Sequence, residues 1–161
     1  MVRASTRVVV PLIIVAGASL AIHGHLSPGG GFQGGALVAI VPALTITVFS
    51  IGAIYVAGVK VKSLLRARYT ALLLIVLTSL AIPIAATILG VRGYILQNMG
   101  KVDAPLTMPA WFFNTPTAGS VLLFNLFELV AVSAGLTYCL LLISVKMGDV
   151  ERSLAEDKVY E

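Results

Sequence analysis

Four stretches of this chain, Val8–Ile22, Ala36–Val59, Tyr69–Val91 and Gly119–Val145, run for 15, 24, 23 and 27 residues and share one charged side chain, Glu128. A helix that crosses the hydrocarbon core of a bilayer needs roughly 20 mostly apolar residues. The last three windows reach that length, and the first reaches it when Ala4–Thr6 are added. None alternates apolar and polar residues for long enough to read as an outer-membrane strand. The sequence therefore predicts an all-α integral membrane protein with four transmembrane helices in the lipid bilayer. Only 11% of the 161 residues are charged, against about 25% in a soluble domain, and 58% are hydrophobic. A water-soluble fold of this length could not bury so much apolar surface, which excludes a soluble enzyme or a nucleic-acid binder.

The charges lie between the windows and set an orientation. Arg3, Arg7, Lys60, Lys62, Arg66, Arg68, Lys146, Arg152 and Lys158 fall on one side, and Arg92 and Lys101 on the other. The positive-inside rule then predicts a multi-pass protein of the cell membrane with both termini and a Lys60–Arg68 loop in the cytoplasm. No small-residue cleavage site follows the first window, so it reads as a span and not as a cleavable signal. Two parts are expected: a four-helix domain over 1–147 and a short cytoplasmic tail over 148–161. The 92–118 connection holds Pro105, Pro109 and Pro116 and cannot be one continuous helix. Its Trp111, Phe112 and Phe113 suit a membrane–water boundary.

Inside the windows, Pro42 and Pro83 predict kinks. Thr45, Thr47, Ser50, Thr78 and Ser79 are expected to bond their own helix backbone. The single cysteine, Cys139, permits no internal disulfide and no four-cysteine cluster, and reads as a small packed apolar residue.

The most informative stretch is His23-Gly24-His25-Leu26-Ser27-Pro28-Gly29-Gly30-Gly31-Phe32-Gln33-Gly34-Gly35, which holds six of the fifteen glycines. Gly29–Gly34 fit G-x-G-x-x-G, but a hydrophobic helix precedes them and no acidic residue follows about 20 positions later, so dinucleotide binding fails on context. Glycine instead lets a neighbouring chain approach closely. Gly30 with Gly34, and Gly31 with Gly35, have the small-xxx-small spacing of close helix packing. Pro28 fits a first helical turn leading into the second span. A broken or re-entrant start of this kind survives at membrane depth only where protein or water covers it, so the run should face other helices. His23 and His25 supply two ligands without a third, a weak metal signal, and no metal site is assigned. Hydrogen bonding and proton handling stay open for them.

Glu128 lies nine residues into its window, roughly 13–14 Å from that end and near the middle of a ~30 Å core. A charge there costs about 2.5–3.5 kcal/mol on insertion scales, so it should face protein or a hydrated cavity. Asn125 stands at i−3 on the same helical face. A carboxylate beside an amide oxygen can hold a proton or a hard cation; it can also form an interhelical hydrogen bond that only joins helices.

Gly24-His25-x-x-Pro28-Gly29-Gly30-Gly31-Phe32-x-Gly34-Gly35 resembles the signature of the B subunit, the MrpB or MnhB type, of multisubunit Mrp sodium/proton antiporters. The resemblance covers about Pro11–Val59, with a looser match at Asn125-x-x-Glu128. It implies a four-helix subunit that packs beside other Mrp-type membrane subunits and helps form the sodium and proton path, with Glu128, Asn125 and His25 as ion-path candidates. It implies no cofactor in this chain, and sodium as the transported ion. The same subunit type occurs in archaeal membrane-bound hydrogenases and their sulfur-reducing relatives, where a hydrogenase-like peripheral arm would carry the redox chemistry. This chain has no motif for a catalytic centre. A small multidrug exporter acting alone is a remote alternative, because those exporters carry their essential Glu in the first helix and have no such glycine run.

Overall fold

The computed structural model describes residues 2–26, 29–100, 106 and 119–157, with side chains described as far as Val145. All regular structure among the described residues is helical: α1 (Val2–Ile22), α2 (Gly31–Phe49), α3 (Ile51–Val56), α4 (Val61–Ile88) and α5 (Gly119–Asp157). α1, α2, α4 and the Gly119–Val145 part of α5 are each long and apolar enough to cross a membrane. In lipid a helix is the form that satisfies every backbone polar group within one segment. The hydroxyls follow the same logic. Thr45 donates to the Val41 carbonyl at 2.8 Å, Thr47 to Ala43 at 2.8 Å, Thr78 to Leu74 at 2.7 Å and Ser79 to Val76 at 2.8 Å.

The four spans stand in the order α1–α2–α5–α4. α2 packs on both α1 and α5, while α4 packs on α5 alone among the described helices. α1 and α2 are antiparallel: the Arg3 guanidinium lies 5.8 Å from the Phe49 ring centroid, and Gly17 meets Gly34 and Val38. α2 and α5 run parallel, since Gly31 meets Asn125 and Glu128 while Gly35 meets Leu129 and Val132. The contacts are made by small residues, with Ala21, Ala39, Ala71, Ala86, Ala131 and Ala134 all buried. Lipid tails are as apolar as leucine, so close backbone approach and dispersion, not apolar burial, hold such helices together. Only 17% to 22% of each apolar window is buried within the chain, which leaves most of each helix for lipid or partner helices.

Several expectations change at the helix ends. Lys62, Arg66 and Arg68 belong to the first two turns of α4 and not to a loop. The second window is interrupted at Ser50, where α2 ends and α3 begins, so Ser50 marks the break instead of bonding along a continuous helix. Cys139 is exposed on α5 and is not a packed core residue. α5 continues past Val145 through Gly148 to Asp157. Trp111, Phe112, Phe113 and the three prolines of the 92–118 connection lie outside the described residues.

Ser50 has φ 74° and ψ 168°, a conformation open to glycine but strained by about 1–3 kcal/mol for other residues. Its N–H still donates to the Ile46 carbonyl at 2.9 Å, a bond glycine would keep. Ser50→Gly is therefore expected to stabilise the chain by about 1 kcal/mol, after allowing for the freer unfolded backbone. The thermal unfolding midpoint in detergent checks this; an unchanged or lower midpoint would mean that Ser50 stores no strain.

Candidate functional site

The glycine-rich run forms a turn followed by a helix start, laid against α5. His23–Leu26 turn back on themselves, with the Leu26 N–H donating to the His23 carbonyl at 2.9 Å. The His23 ring Nδ1 lies 2.9 Å from the Ser19 carbonyl, which can only accept, so this nitrogen carries the proton. Gly29 and Gly30 are not helical, and α2 begins at Gly31. Gly30 caps the helix: the Gln33 side-chain oxygen accepts from its N–H at 3.0 Å, and its carbonyl receives the Gly34 N–H at 3.0 Å. The expectation for Pro28 falls outside the described residues.

The turn and the start of α2 close around Asn125 and Glu128. A Cβ added to Gly24 would lie 2.5 Å from Asn125 Nδ2 and 2.7 Å from the Gly29 carbonyl oxygen. One added to Gly30 would lie 3.3 Å from Asn125 Oδ1. The Asn125 amide is thus held between two residues without side chains. At Gly31 an added Cβ would run into the Asn125 carbonyl oxygen, and would lie 2.6 Å from Glu128 Cβ and 2.9 Å from its Oε2. Asn125 and Glu128 are half-buried, and Gly31 is buried. The carboxylate sits beside the first residue of α2, where the helix dipole has its positive end.

Asn125 Nδ2 and His25 Nδ1 are buried atoms with no hydrogen-bond partner. Among the described residues no cation pairs with Glu128. Buried polar atoms are normally satisfied, so the unmatched Asn125 Nδ2, a hydrogen-bond donor, marks a place for water. Glu128 and Asn125 carry side-chain oxygens on this face, and the Gly29 carbonyl lies by Gly24 with the Asn125 amide; oxygen donors suit a hard cation.

The structure therefore brings Gly24, Gly30 and Gly31 together with Asn125 and Glu128. His25 shares the turn with Gly24 and is half-buried, but it makes no hydrogen bond to either polar residue. Gly29 packs near Leu20. Phe32 is 57% exposed and lies on the outside of the seam. The Gly31/Gly35 packing pair holds, both glycines meeting α5. The Gly30/Gly34 pair does not, because Gly30 precedes the helix and Gly34 turns to α1 instead. There Gly34 meets the Gly17 carbonyl, and Ala21 N would lie 3.3 Å from its added Cβ. Gly17 and Ala21 were legible as a small-xxx-small pair in the first span, and both are buried.

A family model described as a domain related to the MnhB subunit of Na+/H+ antiporters matches residues 1–138, a span that includes the glycine-rich turn, Asn125 and Glu128. A comparison with curated proteins finds no match. The family match covers most of the 161 residues. The chain belongs to the MnhB-related family and is a subunit of an Na+/H+ antiporter-type complex.

Proposed function

We propose that the chain serves the cation and proton path of a multisubunit Mrp-type antiporter, with Glu128 as the group that alternately takes up a proton and a sodium ion. Asn125 supplies a neighbouring oxygen, and the glycine-rich turn lets α2 approach closely enough to enclose both. His25, beside Gly24, offers a ring nitrogen to water that reaches the seam. The observation that supports this reading most is the half-buried, unpaired Glu128 packed against Gly31 near mid-span. A charge at that depth is retained against its cost where it faces a pathway or a partner. The subunit sits in the cell membrane beside other Mrp-type subunits, its basic side toward the cytoplasm.

The test is sodium-driven proton movement by the whole complex reconstituted in vesicles, with a pH-sensitive dye inside. Glu128→Gln is expected to assemble and to lose most of the exchange. Full exchange by that variant would remove Glu128 from the path and leave it a structural role. Asn125→Leu, which removes the neighbouring oxygen, is expected to weaken apparent sodium affinity on the order of tenfold with the maximal rate less affected. An unchanged sodium dependence would exclude Asn125 from the cation's surroundings.

A further inference from the structure

The apolar part of α4 begins at Tyr69, and the last basic residue before it, Arg68, lies across α5. A Cβ added to Gly135 would be 3.4 Å from Arg68 Cδ, 3.5 Å from Nε and 3.6 Å from one terminal nitrogen, Nη1. The missing side chain of Gly135 thus makes room for the stem and head of Arg68. By helical rise, Gly135 lies roughly 15 Å from Val145, where the apolar part of α5 ends. A groove of about 280 Å³ follows α5 here from Ala131 to Cys139, with Phe32, Leu72 and Leu136 in its walls. Arg68 is exposed, and among the described residues no carboxylate or other acceptor pairs with it.

A long cationic side chain near a helix end usually reaches outward so that its charge meets water or headgroups. Arg68 instead rests against α5, with two guanidinium nitrogens beside Gly135. Its charge is permanent, and its planar fork matches a carboxylate in two parallel hydrogen bonds. Charged side chains at membrane depth pair with one another or face a hydrated interior. Among the described residues no anion enters the groove, whose walls are otherwise apolar. We propose that the α4–α5 groove seats a transmembrane helix of a neighbouring subunit, and that an Asp or Glu on that helix pairs with Arg68. Apolar walls on either side of a single cation fit a mostly apolar helix carrying one acid. The contact is separate from Asn125 and Glu128 and does not depend on their part in transport.

The experiment uses the whole complex in its membrane. The photoreactive residue p-benzoylphenylalanine replaces Leu136 in one variant and Leu72 in another, and the adducts are identified by mass spectrometry. The expected adduct is to one other membrane subunit, within about one helical turn of an Asp or Glu. Adducts only to lipid, to a second copy of this chain, or to a segment without an acidic residue overturn the proposal. Arg68 is intact in this arm, so the result does not depend on whether an Arg68 variant folds. In the second arm, Arg68→Glu is expected to reduce co-purification of the cross-linked subunit on the order of tenfold, while Arg68→Lys keeps most of it. Exchanging the charges, with Arg68→Glu here and Arg in place of the partner acid, is expected to restore recovery. Equal recovery with wild type and Arg68→Glu would overturn the pairing.

Discussion

Gly31→Ala is expected to push α2 away from α5 and sharply reduce assembly of the complex, whereas Gly30→Ala is expected to be tolerated. The two positions are adjacent and carry the same added methyl, but they meet different obstacles. At Gly31 the methyl would meet the Asn125 backbone carbonyl and Glu128 Cβ, atoms fixed by the helix that carries them. No rotamer change clears them, so the whole helix must shift. Overpacking costs about 1–3 kcal/mol and occasionally more, and a backbone obstacle puts this case at the upper end. The gain in helix propensity from glycine to alanine, at most about 1 kcal/mol, does not offset it. At Gly30 the nearest atoms are side-chain ends, Asn125 Oδ1 at 3.3 Å and Gln33 Oε1 at 3.8 Å. Its φ of −162° is extended backbone open to any residue. In detergent, Gly31→Ala should lower the thermal midpoint by roughly 6–12 °C and Gly30→Ala by only a few degrees. Equal midpoints for the two variants would mean that the helices are not as close as their packing indicates.

The contrast between these two glycines also shows what the sequence alone could convey. Four spans were legible because uncharged runs of that length have few stable alternatives in a bilayer. Asn125 and Glu128 were legible as one helical face from their spacing. That this face meets the glycine-rich run was not, because hydropathy gives no neighbour order, and α2 packs directly on α5 although α3 and α4 separate them in sequence. The helix boundary near Arg68 was missed for a related reason. A charge ends an apolar window without ending a helix, since arginine and lysine are good helix formers. Ser50 shows the opposite failure: apolar residues continue on both sides of it, so composition gave no sign of the break between α2 and α3. The Gly30/Gly34 spacing misled because a small-xxx-small pattern marks packing only where both residues are helical. Gly34 found its partner in Gly17 on the neighbouring helix.

Substitutions at Glu128 should separate transport from stability, because the two roles open to this carboxylate predict opposite couplings. Gln has nearly the same shape and keeps hydrogen-bonding capacity, but it cannot gain or lose a proton in the working range and offers sodium no negative charge. If Glu128 only joined helices, Glu128→Gln would keep exchange close to wild type. Under the proposed role, exchange by the reconstituted complex falls on the order of hundredfold or more, the scale lost when a positioned proton-transfer group is removed. Stability should not fall with it. A charge near mid-span costs about 2.5–3.5 kcal/mol on insertion scales, and the neutral amide is relieved of that cost. The thermal midpoint of Glu128→Gln is therefore expected to match or exceed that of wild type. Glu128→Asp keeps the charge but draws it back by one methylene from Gly31, so it should retain part of the exchange. Glu128→Ala loses both charge and packing against α2, and should lower rate and midpoint together. If Gln and Ala instead both lowered the midpoint while Gln still exchanged sodium for protons, Glu128 would be a packing residue, and the path would run through another subunit.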